Sequence, residues 1–146
     1  MMNAIDFIPH DKPMVFVDHL IEADDLSATA ELTITSDLMF CEAEGLPTWA
    51  SIEIMAQTVS AYAGYRGKKT GNAKPKVGFL LGTRKMQFPI AYFALNDVLK
   101  IHMEQSYLHE GLGQFQCVIQ YQEHEISAML SVYEPPEIDQ IVGNLT

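Results

Sequence analysis

The chain has 146 residues, 48% of them hydrophobic and 19% charged, with a formal net charge of −10. That length suits one domain with a real core, spanning 1–146, and the composition excludes an intrinsically disordered chain. The acidic balance argues against nucleic acid as the main partner. No apolar run reaches the ~20 residues of a membrane helix, and the start MMNAIDFIPH lacks the basic and apolar regions of a secretory signal. Two cysteines, Cys41 and Cys117, form no disulfide framework and no metal-ligand spacing surrounds them. A reducing cytoplasm is the expected compartment, with no metal and no cofactor.

In chain order, residues 14–22 (MVFVDHLIE) predict a strand buried on both faces, and Asp24-Asp25 a turn. Residues 27–35 (SATAELTIT) alternate, placing Ala28, Ala30, Leu32 and Ile34 on one face and Thr29, Glu31 and Thr33 on the other.

A helix follows in LPTWASIEIMAQTVSAYAG, residues 46–64. At helical period Glu53, Gln57, Ser60 and Gly64 fall on one line, and that line is small or polar. The residues around it are apolar, which marks a buried helix. An ionisable side chain in such a helix is costly unless it is paired, hydrogen-bonded or neutral. Glu53 is therefore either held by a partner or kept as a reactive acid. Pro47 and Thr48 suit the first turn, with Thr48 as N-cap, and Gly64 and Gly67 predict its end.

The loop RGKKTGNAKPK carries Arg66, Lys68, Lys69, Lys74 and Lys76, out of nine lysines and arginines in the chain, and Arg84 and Lys85 follow. This reads either as a solvated polar loop or as a basic patch for docking an acidic partner. Four period-2 segments complete the pattern. In KVGFLLGTRKMQF, Gly78 and Gly82 suggest bends or close backbone approach. VLKIHME sets Leu99, Ile101 and Met103 opposite Lys100, His102 and Glu104. FQCVIQY aligns Phe115, Cys117, Ile119 and Tyr121, and ISAMLSVY runs to Pro135-Pro136.

Two strands, one long apolar helix and four strands leave a sheet whose faces need cover and one helix to supply it. An α+β hot-dog arrangement, an antiparallel sheet curled around the central helix, meets that need. An edge strand would stay open, so a second copy joining edge to edge is expected to give a homodimer.

IPHDKPMVFVDHLIE resembles the "LPHRxPxLLVDRVLE" opening of the 3-hydroxyacyl-acyl carrier protein dehydratases of fatty acid synthesis. LPTWASIEIMAQ resembles their central-helix motif "MPGxLxxEAMAQ", and VGFLLGTRKMQF the strand after it. The forms "LPxWxxIExMAQ" and "GFLLGxR" are closer to the dehydratase-like proteins of aryl-polyene gene clusters. The resemblance implies a hot-dog homodimer acting on acyl thioesters carried by acyl carrier protein, with the active site at the dimer interface. One departure stands out. The family carries a catalytic histidine in a "GHFPG" loop before the helix, and the corresponding MFCEAEGLP has none.

Dehydrating a 3-hydroxyacyl thioester requires a base for the C2 proton, a donor for the thioester oxygen and an acid for the departing C3 hydroxyl. A buried helical carboxyl suits the acid, because desolvation keeps part of it protonated near neutral pH. The resemblance assigns that role to Glu53. It also puts Thr48, with Trp49, at the first-turn backbone donor, aided by the helix dipole. Thr48 stands where the family has glycine. Gln57, one turn beyond Glu53, can hydrogen-bond it and fix its rotamer. Among His10, His19, His102, His109 and His124, the leading candidate for the base is His10, which lies in the shared Pro-His motif. Asp18 reads as a structural partner for a nearby backbone or for Arg84. Lys68, Lys69 and Arg84 are expected to dock the acidic carrier. Two alternatives stay open: a hot-dog thioesterase in which Glu53 positions water or attacks the carbonyl, and a non-catalytic acyl-binding subunit.

Overall fold

The computed structural model describes residues 2–6, 15–69, 79–84 and 87–133, with the side chains of 68, 69 and 79–84 excluded. His10, Gly78, Lys85 and the Pro135-Pro136 ending lie outside the described residues. Among the described residues, nine strands and one long helix follow in order: β1 Met2–Asn3, β2 His19–Ala23, β3 Ser27–Thr33, β4 Leu46–Pro47, α1 Ser51–Lys69, β5 Phe79–Arg84, β6 Tyr92–Phe93, β7 Val98–His109, β8 Leu112–Tyr121 and β9 His124–Tyr133. Short 3-10 turns occupy Ala4–Asp6 and Thr48–Ala50.

Seven strands form one antiparallel sheet in the order β1-β2-β3-β7-β8-β9-β5, while β4 and β6 pair separately. The period-2 pattern explains the core. Ala28, Ala30, Leu32 and Ile34 are all buried, as are Leu99, Ile101 and Met103 opposite them and Phe115, Cys117, Ile119 and Tyr121 beyond. The helix lies across this face and packs on β3, β7 and β8, so one element covers the sheet. This is the expected hot-dog architecture. At the hairpin between β7 and β8, Glu110 and Gly111 both take positive φ, 50° and 84°. That is the primed two-residue turn whose twist matches an antiparallel ribbon.

The structure differs from the sequence pattern in three places. The first apolar run is only partly strand: Val15, Phe16 and Val17 are buried, but regular pairing begins at His19. Gly64 and Gly67 do not stop the helix, which continues to Lys69. Both are buried, so close packing of the helix outweighs their ~1 kcal/mol propensity cost. Thr48 is not an N-cap; its hydroxyl donates to the carbonyl of Ile90 at 2.7 Å instead. A bulge interrupts the pairing of β5 with β9 between Leu80 and Gly82, as the glycine suggested. No helix among the described residues is long and apolar enough to cross a membrane.

Candidate functional site

Glu53 sits in the first turn of α1. It is half-buried rather than buried. Gln57, one turn later and 1% exposed, donates from Nε2 to Glu53 Oε1 at 3.1 Å. Its other amide atom, Oε1, accepts the backbone N–H of Phe16 at 2.7 Å. That second bond fixes which way the amide points, so Gln57 presents a donor to the carboxylate. The Glu53–Gln57 contact expected from the i, i+4 spacing is present, with a tertiary anchor the spacing could not reveal.

The N-terminal end of the helix is built differently from the expectation. The amide of Thr48 donates to the carbonyl of Ala91 at 3.0 Å. Together with the hydroxyl bond to Ile90, this ties the first turn to the segment before β6. The Thr48 amide is thus already engaged, and the Ala50 amide closes the 3-10 turn of Thr48–Ala50, which leaves Trp49 beside Thr48 as the exposed first-turn residue. Beside them opens a cleft of about 620 Å³ lined by residues including Glu42, Pro47, Thr48, Trp49, Phe88 and Tyr92. Trp49 is 54% exposed at its rim.

The loop that lacks the expected histidine is ordered by its own contacts. Glu42 and Gly45 exchange backbone hydrogen bonds at 2.8 and 3.1 Å. The Glu42 carboxylate beside Tyr92 pushes the phenol's pKa up, through hydrogen bonding and its negative charge. Phe40 stacks on Phe16, with centroids 6.0 Å apart and planes 4° apart, and lies 5.1 Å from Trp49. Glu42, Tyr92 and Phe40 escaped the sequence reading. Their partners are far along the chain, and the motif pointed to a histidine that the loop does not contain.

The histidines other than His10 lie on the sheet. His102 hydrogen-bonds Thr29 Oγ1 at 2.9 Å and lies 3.6 Å from Glu104; His109 lies 3.7 Å from Glu110. His19 and His124 begin β2 and β9. Asp18 accepts the amide of Thr33 at 2.8 Å, the structural role expected of it. Arg84 ends β5, with its backbone paired to Met129. Lys68 and Lys69 close α1. Among the described residues no group of three His, Cys, Asp or Glu side chains could hold a metal ion.

The model of the ApeP-like family, described as ApeP dehydratase, matches residues 2–143. Among solved structures, the dehydratase heterocomplex ApeI:P from Xenorhabdus doucetiae is similar, with a TM-score of 0.85 at 25% identity, covering 100% of this chain and 99% of that one. A sigma28-regulated virulence protein from Campylobacter jejuni matches with a TM-score of 0.66 at 15% identity, covering 92% of this chain and 96% of the other. A hypothetical thioesterase from Streptococcus pneumoniae, solved with coenzyme A, has a TM-score of 0.61 at 14% identity, over 82% and 86% of the two chains. The last two share the fold alone. No curated protein matches the chain.

Proposed function

We propose a function from one premise: the chain belongs to the ApeP-like dehydratase family. Its reaction is the dehydration of a 3-hydroxyacyl thioester, borne by acyl carrier protein, to the 2-enoyl thioester in aryl-polyene or related acyl biosynthesis in the cytoplasm. Glu53 gives its proton to the departing C3 hydroxyl, which leaves as water. The C2–H electrons become the new double bond as a base takes that proton. The first-turn amide of Trp49, with the helix dipole behind it, holds the thioester oxygen as charge develops. The observation that carries this reading is the relay from the Phe16 amide through Gln57 to Glu53. It positions a carboxyl one turn inside the helix end, where acid and oxyanion donors can face one substrate.

The base is His10 of this chain or a group of a second subunit. A second subunit is supported by strand β5, which among the described residues has a neighbour, β9, on one side only. A copy of this chain or a different subunit could continue the sheet there. The similarity to one component of a dehydratase heterocomplex favours trying both. Sedimentation should show no stable monomer at micromolar concentration, either alone or with that subunit.

The test is incubation with 3-hydroxyacyl carrier protein and mass spectrometry of the acyl arm. Wild type should yield the 2-enoyl product, and Glu53→Gln should lower the rate by about 100-fold or more, the scale of a lost general acid. Release of free thiol without enoyl product would instead indicate hydrolysis. Binding without turnover in every assembly tried would indicate an acyl-binding subunit.

A further inference from the structure

Phe40 takes φ of 70°. A bulky residue is rarely found in the left-handed region, and the strain persists only where surrounding contacts impose it. Burial does not explain it, because the ring is 46% exposed. What the strained backbone achieves is a position. The ring lies nearly parallel to Phe16 at 6.0 Å and tilts against Trp49 at 5.1 Å. Trp49 stands one helical turn before Glu53. Phe16 is bonded through its amide to Gln57, which stands one turn after Glu53 and holds its carboxylate. A ring packed against both Trp49 and Phe16 therefore lies beside the stretch of helix that carries Glu53.

We propose that Phe40 is a substrate-contacting, specificity-determining residue, laid across the approach to Glu53 and selecting acyl chains that are unbranched just beyond C3. This rests on the reading of Glu53 as the group that meets the C3 hydroxyl. With that hydroxyl at the carboxyl, the carbons after C3 must pass the side chains bordering that turn, and Phe40 is one of them. Phe40 has an aromatic neighbour at each end and a backbone fixed in one unusual conformation. It has little freedom to yield to a methyl branch.

The protein has a single tryptophan, Trp49, in contact with Phe40, so its fluorescence reports on this place without any need for turnover. The experiment titrates the full chain with straight-chain and 4-methyl-branched 3-hydroxyacyl pantetheine, using wild type, Phe40→Ala and Phe40→Leu. In wild type the straight-chain ligand should give a saturable Trp49 change with a Kd about 10-fold or more below that of the branched ligand, a typical discrimination for one methyl group. Phe40→Ala should bring the two Kd values together, and Phe40→Leu should fall between. If Phe40 only fastens its loop, both ligands weaken in parallel and the ratio stays put, which overturns the proposal. Equal Kd values in wild type, or no saturable change with any ligand, overturn it too. Should Phe40→Ala fail to fold, Phe40→Leu decides by the same ratio. Selective binding without enoyl formation in any assembly would sink the dehydratase reading while leaving the selectivity at Phe40 measured.

Discussion

Gln57 is the residue on which the acid depends. Its side chain is buried and bonds both the Phe16 amide and Glu53. Gln57→Leu keeps the volume but strands a buried N–H, so it should cost about 1–3 kcal/mol. Urea unfolding should show that loss, and the activity ascribed to Glu53 should fall with it. Ser51 presents the opposite case. Its hydroxyl is fully buried, with no partner among the described residues. Ser51→Ala removes an unsatisfied group and improves helix propensity, so stability should rise by about 1 kcal/mol. A lower melting temperature would mean that the hydroxyl has a partner after all. Cys117 gives a pH prediction. Burial pushes its thiol up to about 12 from 9.0. A pKa raised by folding contributes stability that is fully present below the unfolded value and is lost as pH climbs toward the folded one. Tyr121 is shifted the same way, by burial and then by its bond to Asp97. Unfolding midpoints should hold level below about pH 9 and fall above it, with Cys117→Ala flattening part of that fall.

At the scale of elements, the first turn of α1 is positioned by the small β4–β6 pair. Leu46 lies opposite Phe93 and Pro47 opposite Tyr92. Gly45 makes the close approach work. Its φ is 126°, and a Cβ there would sit 2.1 Å from the carbonyl oxygen of Phe93. That atom is backbone and cannot swing aside. Gly45→Ala should therefore cost about 2 kcal/mol or more, with strain and collision adding. Near-UV circular dichroism of Trp49 should change with it, because the displaced strand carries the helix end. A variant as stable as wild type, with an unchanged spectrum, would show that β4 does not set the helix end. The long helix is held by its burial against β3, β7 and β8, which outweighs two internal glycines.

At the scale of the whole molecule, the charge of −10 sets a problem for binding an acidic carrier. Repulsion at long range must be offset locally, and the sequence concentrates its cations in the segment that leaves the helix. Lys68 and Lys69 end α1, and Arg84 ends β5. Changing both lysines to glutamate should raise KM for acyl carrier protein several-fold. Salt should shrink the effect, since screening at 1 M acts within about 3 Å. A small acyl-thioester mimic should be processed nearly as before. Equal damage to both substrates would make the segment structural rather than a docking surface.

The sequence by itself determined the parts of this protein that depend on near neighbours. Alternation set the inward faces of β3, β7, β8 and β9, because side chains on a strand must point to opposite sides. The apolar run around Glu53 fixed a single covered helix, and spacing alone brought Gln57 to Glu53. Tertiary structure decided what lies across those elements. It engaged the Thr48 amide with Ala91, forty-odd residues away. It also brought Phe16 to Gln57, Tyr92 to Glu42, and Phe40 between Phe16 and Trp49. Periodicity reports which side of an element is buried but not which distant backbone or ring will meet it. That depends on the sheet order and on the path of a loop with no period to read.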